Sequence, residues 1–293
     1  MRRQRGVALL LAVLAVALAA LLAAALLDQS ERSSSRARER LRAEQAWQLH
    51  LGLEAWAGEA LRQAVRADLL RSAQALPPVD VPGARIQGRL RDAAGCFNLN
   101  TLAPGGLADA AAVARFERLL ARLGLDPAIA GDAADFIDAD GAGGGEDAAY
   151  VGLRTPGRAL AHASELRPLR GLAGDAWQRL APFVCALPAG QGTNLNSAPP
   201  ELWALLDARL AQPALAARLA VEGEGGYRDM DALRAALARE GIEGADLGGI
   251  ALRSEYFLAE SEIDADGIVV VHSSLLRLRD GRVHVLARAR GLQ

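Results

Sequence analysis

Five carboxylates fall within thirteen residues: Asp135-Phe136-Ile137-Asp138-Ala139-Asp140, a run of Gly and Ala over 141–145, then Glu146-Asp147. Charges of one sign packed so closely repel unless water or a cation lies between them. A glycine-rich loop lets oxygens from both of its sides converge, as Ca²⁺ with its roughly 6–8 oxygen ligands requires. The spacing is not that of an EF-hand loop, which places aspartates at alternate positions and a glutamate at the twelfth. On spacing alone the segment reads as an acidic helix end followed by a solvated loop, with a calcium site as its rival. Paired carboxylates also serve glycosidases, but aromatic residues, which line sugar clefts, make up only 4% of the chain.

Other chemistry is thin. Ser164-Glu165-Leu166, His162 and Ser254-Glu255 lie in no Gly-x-Ser-x-Gly elbow. His50, His162, His272 and His284 are scattered, with no His-Glu-x-x-His or Cys-x-x-Cys grouping. An anchored hydrolase would need a pocket gathering Asp138, Glu146 and His162, and the expectation is a protein without catalytic activity. One phrase occurs twice, as Asn98-Leu99-Asn100-Thr101 and Asn194-Leu195-Asn196-Ser197. Such side chains cap helices by accepting hydrogen bonds from free backbone N–H groups. Pro199-Pro200-Glu201 after the second copy suits a first helical turn. The alternative is a membrane-anchored DNA-uptake protein with helix-hairpin-helix modules. The glycine hairpin of such a module is missing, with Asp207, Arg209 and Gln212-Pro213 in its place.

The elements that position these residues follow from periodicity. From Val7 to Leu76 no proline occurs, and Leu41, Trp47, Leu51, Leu53, Trp56, Leu61, Val65 and Leu69 recur near helical spacing. One long helix is expected, ended by Pro77-Pro78. Ala84 to Leu90 alternates as a strand does, and strand-like runs return at 256–258, 268–271, 275–278 and 283–286. Asp280-Gly281 is a tight hairpin signal. Between these two sets of strands, 103–250 is mostly helical in pattern. The expected fold is α+β: a long N-terminal helix packed on an antiparallel sheet built from both ends of the chain, with a large all-α domain inserted.

Arg2, Arg3 and Arg5 precede Gly6, and an apolar run of 21 residues follows from Val7 to Leu27. As a helix it spans roughly 30 Å, the thickness of a bilayer core. The cationic end should stay in the cytoplasm while the rest crosses. A cleaved secretory signal is the rival, with Ala23-Ala24-Ala25 as a small-residue site. All 33 basic residues are arginine, the net charge is −2, and no cationic cluster of the kind that binds nucleic acid is present. Cys96 and Cys185 lie in the exported part, where a disulfide can form. Two buried free thiols are the alternative.

Taken in order, several segments agree: Arg5-Gly6-Val7-Ala8-Leu9-Leu10, Cys96-Phe97-Asn98-Leu99-Asn100, Asp135 to Asp140 with Glu146-Asp147 and Tyr150, Ser164-Glu165-Leu166-Arg167, Val184-Cys185-Ala186-Leu187-Pro188, and Asn194 to Pro199. With Ser254-Glu255-Tyr256-Phe257 and Val285-Leu286-Ala287-Arg288 they make nearly the whole chain resemble the general secretion pathway protein K family, the large minor pseudopilins of type II secretion systems. The resemblance implies a prepilin leader over 1–6, cut by a prepilin peptidase between Gly6 and Val7, with methylation of the new amine. It implies a membrane helix over 7–27, a type IV pilin-like head over 28–102 and 251–293, and the inserted domain over 103–250. It implies calcium bound through Asp135, Asp138, Asp140, Glu146 and Asp147. It also implies a place at the pseudopilus tip with minor pseudopilins I and J, in the bacterial inner membrane with the bulk in the periplasm, serving secreted protein substrates and no nucleic acid. Most pseudopilins carry glutamate as the fifth residue after the cut, and here that residue is Leu11. That glutamate can neutralise a neighbour's amino terminus within the membrane, where an unpaired charge is costly. A subunit lacking it suits a cap better than a repeating shaft.

Overall fold

The computed structural model describes residues 2–66, 74–139, 157–222, 226–265 and 267–291. The first helix, α1 (Arg2–Arg66), is continuous through Ser33-Ser34-Ser35, Gly52 and Gly58. Among the described residues it is the one helix long and apolar enough to cross a bilayer. Among the described side chains its apolar half is exposed: Val13, Val16, Leu21 and Leu27 are each more than half exposed. The other half packs on a sheet.

The buried line of that half runs Ala46, His50, Glu54, Ala57, Leu61 and Ala64. Steps of three and four residues keep it on one helical face. This differs from the stripe expected from large apolar residues. Of that stripe only Leu61 lies on the line, whereas Leu41 is 70% and Trp56 45% exposed. The side chain of Val65 and all of Leu69 lie outside the described residues. The physical reason for the shift is close approach. Alanines let the helix backbone come near the sheet, and His50 and Glu54 find polar partners there.

Strand β1 (Gln74–Val81) pairs with β2 (Ala84–Asp92). The helix expected to reach Leu76 has therefore ended before Gln74, and Pro77-Pro78 lie within a strand at a shift of register between Leu76 and Val79. Proline has no N–H to give a ladder, so an edge strand with a bulge is where it is tolerated. The chain then leaves the sheet for the inserted part. There β3 (Phe97–Asn98) runs parallel to β4 (Val184–Cys185), and β5 (Thr193–Asn194) runs parallel to β6 (Ile250–Ala251). Helices α2 (Ala110–Arg122), α3 (Ile129–Ile137), α4 (Asp175–Leu180), α5 (Pro213–Glu222) and α6 (Met230–Arg239) lie between them, with several short 3₁₀ turns. Asp109 and Asp229 cap α2 and α6 through their carboxylates. Phe97 stacks on Phe116 at 4.9 Å, within a continuous core that includes Leu119, Ile137, Leu166, Leu180, Trp203 and Leu237.

The chain returns as β7 (Tyr256–Ala265), β8 (Ile268–Arg279) and β9 (Arg282–Arg290). The sheet is antiparallel in the order β1-β2-β7-β8-β9. Asp280 and Gly281, at φ 51° and 71°, make the tight turn between the last two strands. Ala57 and Leu61 of α1 pack against Leu90, Phe257, Ala259, Leu276 and Leu278, a second and much smaller core. This is the α+β arrangement of long helix, antiparallel sheet and helical insertion.

That small core should be sensitive to truncation. Leu61→Ala is expected to cost about 2–4 kcal/mol. Leu41→Ala, at a position 70% exposed, should change stability by less than about 0.5 kcal/mol. Chemical denaturation of the full chain in detergent micelles measures the difference.

Candidate functional site

The residues singled out in the sequence lie in four places. Gly6, Val7 and Leu11 are on the backbone of α1, in its first three turns. The acidic segment begins at the end of α3, where Asp138 is the residue after the last helical turn and its N–H reaches the Ala134 carbonyl at 2.9 Å. Asp135 is exposed and Asp138 buried. Asp140, Glu146, Asp147 and Tyr150 lie outside the described residues. The neck of the segment is tight. The Ala139 N–H donates to the Gly106 carbonyl at 2.9 Å, and a Cβ on Gly106 would come within 2.8 Å of the Ala139 Cβ. On the other side, a Cβ on Gly157 would sit 3.4 Å from the Asp138 carbonyl oxygen. The chain thus leaves and returns beside Asp138. Among the described residues no three His, Cys, Asp or Glu side chains form a metal-holding group.

Cys96 and Cys185 form a disulfide, with Cα atoms 5.9 Å apart and a sequence separation of 89. The bond lies where β3 meets β4. Beside it, the first Asn-Leu-Asn phrase does more than cap. The Asn98 Oδ1 accepts from the N–H groups of Asn100 (3.2 Å) and Leu187 (3.0 Å), while its Nδ2 donates to the carbonyls of Pro188 (3.0 Å) and Gln191 (3.1 Å). Asn100 donates to the carbonyls of Leu160 (3.0 Å) and Leu187 (2.9 Å) and accepts from the Leu160 N–H (2.7 Å). Asn196 repeats the pattern: its amide donates to the carbonyls of Tyr227 (3.0 Å) and Leu252 (2.9 Å) and accepts from the Tyr227 N–H (2.8 Å). Asn194 accepts from the Asn196 N–H and donates to the Asp92 carboxylate. The first copy caps a 3₁₀ turn through Asn98 as expected, whereas in the second Asn194 closes only a turn and the 3₁₀ helix Pro200–Leu205 starts at Pro199 with no side-chain cap. Most bonds of both copies join segments 31 to 102 residues apart. The repetition of the phrase was the sequence signal for it. These amides are committed to backbone inside the domain, so the helix-hairpin-helix reading gains no phosphate donors from them.

His162 and Ser164 are 2.7 Å apart, but they serve a 3₁₀ turn. The His162 ring accepts from the Ser164 N–H, and the Glu165 carboxylate accepts from the N–H groups of Ala161 and His162. Burial pushes the Glu165 carboxyl up, but those two N–H groups and Arg158 outweigh it and hold it below its ordinary value. A capping box of this kind is structural.

One cluster was not legible in the sequence. Between α1 and the sheet, His50 bonds Ser261 through Nδ1 (2.8 Å) and Ser274 through Nε2 (2.9 Å). The Ser274 hydroxyl and two Arg288 nitrogens donate to Glu54. An ionised carboxylate only accepts, so Ser274 gives its proton to Glu54 and its oxygen accepts from the His50 Nε2–H. With burial keeping the His50 ring neutral near pH 7, its one proton is then on Nε2 and its Nδ1 accepts from the Ser261 O–H. Burial raises the Glu54 carboxyl, but the bonds from Arg288 and Ser274 prevail and leave it below its ordinary value. His50 is held down at about 4 by burial first, then by His272.

A family model described as Type II secretion system (T2SS), protein K matches residues 95–189. This span contains the disulfide and the first Asn-Leu-Asn unit. The type II secretion system protein K of Pseudomonas aeruginosa is 32% identical over 320 residues, covering 99% of this chain and 94% of its own. Its namesake from Pectobacterium carotovorum subsp. carotovorum is 28% identical, with 99% and 97% covered. That from Klebsiella pneumoniae is 34% identical over 70% of each. Among solved structures, a chain of the GspK-GspI-GspJ complex from the enterotoxigenic Escherichia coli type 2 secretion system matches with a TM-score of 0.67 and 26% identity, covering 87% of this chain and 100% of that one.

The Asn100 amide predicts a large loss on removal. Asn100→Ala leaves three buried backbone groups without partners and should cost at least about 2 kcal/mol. Asn100→Asp should not rescue, because a carboxylate cannot donate to the Leu160 and Leu187 carbonyls. Thermal melts of both variants beside the parent chain decide it.

Proposed function

The chain belongs to the type II secretion system protein K family, and from that premise we propose that it is a non-enzymatic minor pseudopilin at the tip of the pseudopilus. There it initiates or caps the assembly that drives folded periplasmic proteins across the outer membrane. The carrying observation is the likeness, over its whole length, of a chain solved together with GspI and GspJ. The partners that follow are minor pseudopilins I and J of the same system. The exposed apolar half of α1 supports a single-pass anchor in the inner membrane, with the amino terminus in the cytoplasm and the sheet and insertion in the periplasm. The disulfide supports an oxidising compartment for that bulk. Prepilin peptidase cleavage between Gly6 and Val7, with methylation of Val7, completes the reading. Leu11 in the place of a glutamate supports a cap, since this subunit cannot neutralise the amino terminus of another from that position.

Calcium belongs to the same proposal. Asp138 is buried at the carboxy-terminal end of α3, where the helix dipole is negative and a cation is favoured. The chain leaves the described part at Ala139 and re-enters it at Gly157 beside Asp138, which supports a convergence of oxygens around one ion. Asp135, Asp138, Asp140, Glu146 and Asp147 are the residues that would hold the ion, which would screen their mutual repulsion and fasten the segment.

Co-expression with pseudopilins I and J and the peptidase tests the first reading. The three chains should co-purify, and mass spectrometry should find this one beginning at a methylated Val7. Recovery of this chain without I or J, or one retaining residues 1–6, would sink it. For the metal, calcium should raise the melting temperature of the full chain in micelles and a chelator should lower it, with Asp138→Asn abolishing the difference. Superimposable melting curves with and without chelator dispose of the calcium claim.

A further inference from the structure

We propose that the stacked pair His50–His272 makes the docking of the sheet on α1 acid-sensitive, so that protons entering between helix and sheet loosen the head at the end nearer the apolar segment. The two rings are 5.1 Å apart and 21° from parallel, and both are fully buried. Trp47 closes the stack, 5.5 Å from the His50 ring and 5.4 Å from that of His272. His272 lies on β8 between Ser261 of β7 and Arg290 of β9. Neither of its ring nitrogens has a hydrogen-bond partner. Burying such a ring is costly, and a phenylalanine would fill the space without that cost.

The charges around the stack decide what a proton does. From α1 comes Glu54, already bound twice by Arg288 of β9 and once by Ser274 of β8. From β9 comes a second cation, Arg290, whose guanidinium lies 5.5 Å from the Trp47 ring centre. From β7 comes only the Ser261 hydroxyl, since Glu260 and Glu262 alternate to the opposite face. Two guanidiniums and one carboxylate therefore surround the rings. A proton on either imidazole adds a buried cation with no free anion to meet it. Protonating His50 Nδ1 also forces Ser261 to withdraw its hydroxyl proton.

The helix–sheet contact is divided along its length. Around Ala57 and Leu61 it is apolar, facing Phe257, Leu276 and Leu278. Around His50 and Glu54 it is polar. Acid acts on the polar half alone. Burial, followed by His272, holds His50 at about 4, and burial with Arg290 holds His272 below its ordinary value. Both folded-state values lie below the unfolded ones. The stabilising contribution is thus whole above about pH 6.5 and is lost as pH falls toward the folded value.

Hydrogen exchange of the full chain in detergent micelles, corrected for intrinsic rate, tests this. Between about pH 7 and pH 4.5, peptides covering 268–276 and 286–290 should lose protection at least about tenfold, while those covering 110–137 keep theirs. His272→Phe preserves the stack, removes one of its two titrating groups and relieves His50 of a like charge, so it should reduce that loss and move its midpoint. A wild-type chain fully protected at the lower pH, or a His272→Phe chain losing protection with the same midpoint, overturns the proposal. Should His272→Phe fail to fold, NMR titration of the wild-type histidine Cε1–H signals decides instead. Midpoints of both rings well below the ordinary histidine value support the acid-sensitive docking, and midpoints at or above it refute it.

Discussion

The pairing of β2 with β7 is the contact on which the head depends. Eight residue pairs, from Arg85–Asp264 to Asp92–Phe257, join strands on either side of a long insertion. Closing so long a loop carries an entropy cost that grows only slowly with length, so insertion size is tolerable provided the seam itself is secure. The seam is reinforced where the chain departs and returns. The Ala93 N–H reaches the Tyr256 carbonyl at 2.9 Å. The Asp92 carboxylate accepts from the Ala94 N–H, the Asn194 amide and the Ser197 hydroxyl. One acid thus ties the sheet, the start of the insertion and its second Asn-Leu-Asn unit.

Within the insertion the same device is built twice. A short strand carries Asn-Leu-Asn, pairs in parallel with a strand far along the chain, and its second asparagine amide satisfies backbone at two remote points. The two copies are fastened differently at the residue before the strand. The first has Cys96, bonded to Cys185. The second has Gly192, where a Cβ would lie 2.5 Å from the Gly249 carbonyl oxygen, so close backbone approach replaces the covalent bond. The copy with the disulfide is the one that encloses the acidic segment. A cross-link with a sequence separation of 89 limits the unfolded ensemble most where a long charged excursion would otherwise enlarge it.

Much of this was legible because it depends on local chemistry. The apolar run, the Asp280-Gly281 turn, the strands after residue 255 and the repeated asparagines each announce themselves within a few residues. What failed was inference across distance. The buried face of α1 is set by what the sheet presents to it, and a sheet with Ser261, His272 and Ser274 on that face selects His50 and Glu54 over Trp56. Pro77-Pro78 reads as a helix stop, yet at a sheet edge the missing N–H groups leave no ladder bond unmade. Of the candidate calcium ligands the described structure contains Asp135 and Asp138, so the sequence cluster becomes a geometric statement only at its neck.

The placement of the insertion bears on the proposed capping role apart from Leu11. The chain leaves β2 after Asp92 and rejoins β7 at Tyr256, at the end of the sheet that packs on Leu61. The other end of the contact is at His50, nearer the apolar segment. From Leu27 to Leu61 an α-helix rises about 50 Å, so the insertion springs from the far end of the molecule's long axis. In an assembly with α1 helices packed side by side along that axis, a following subunit would need the space the insertion fills. A shaft subunit must leave that space open; a terminal subunit need not. The steric argument and the missing glutamate act at opposite ends of one helix, and they support the same place in the filament.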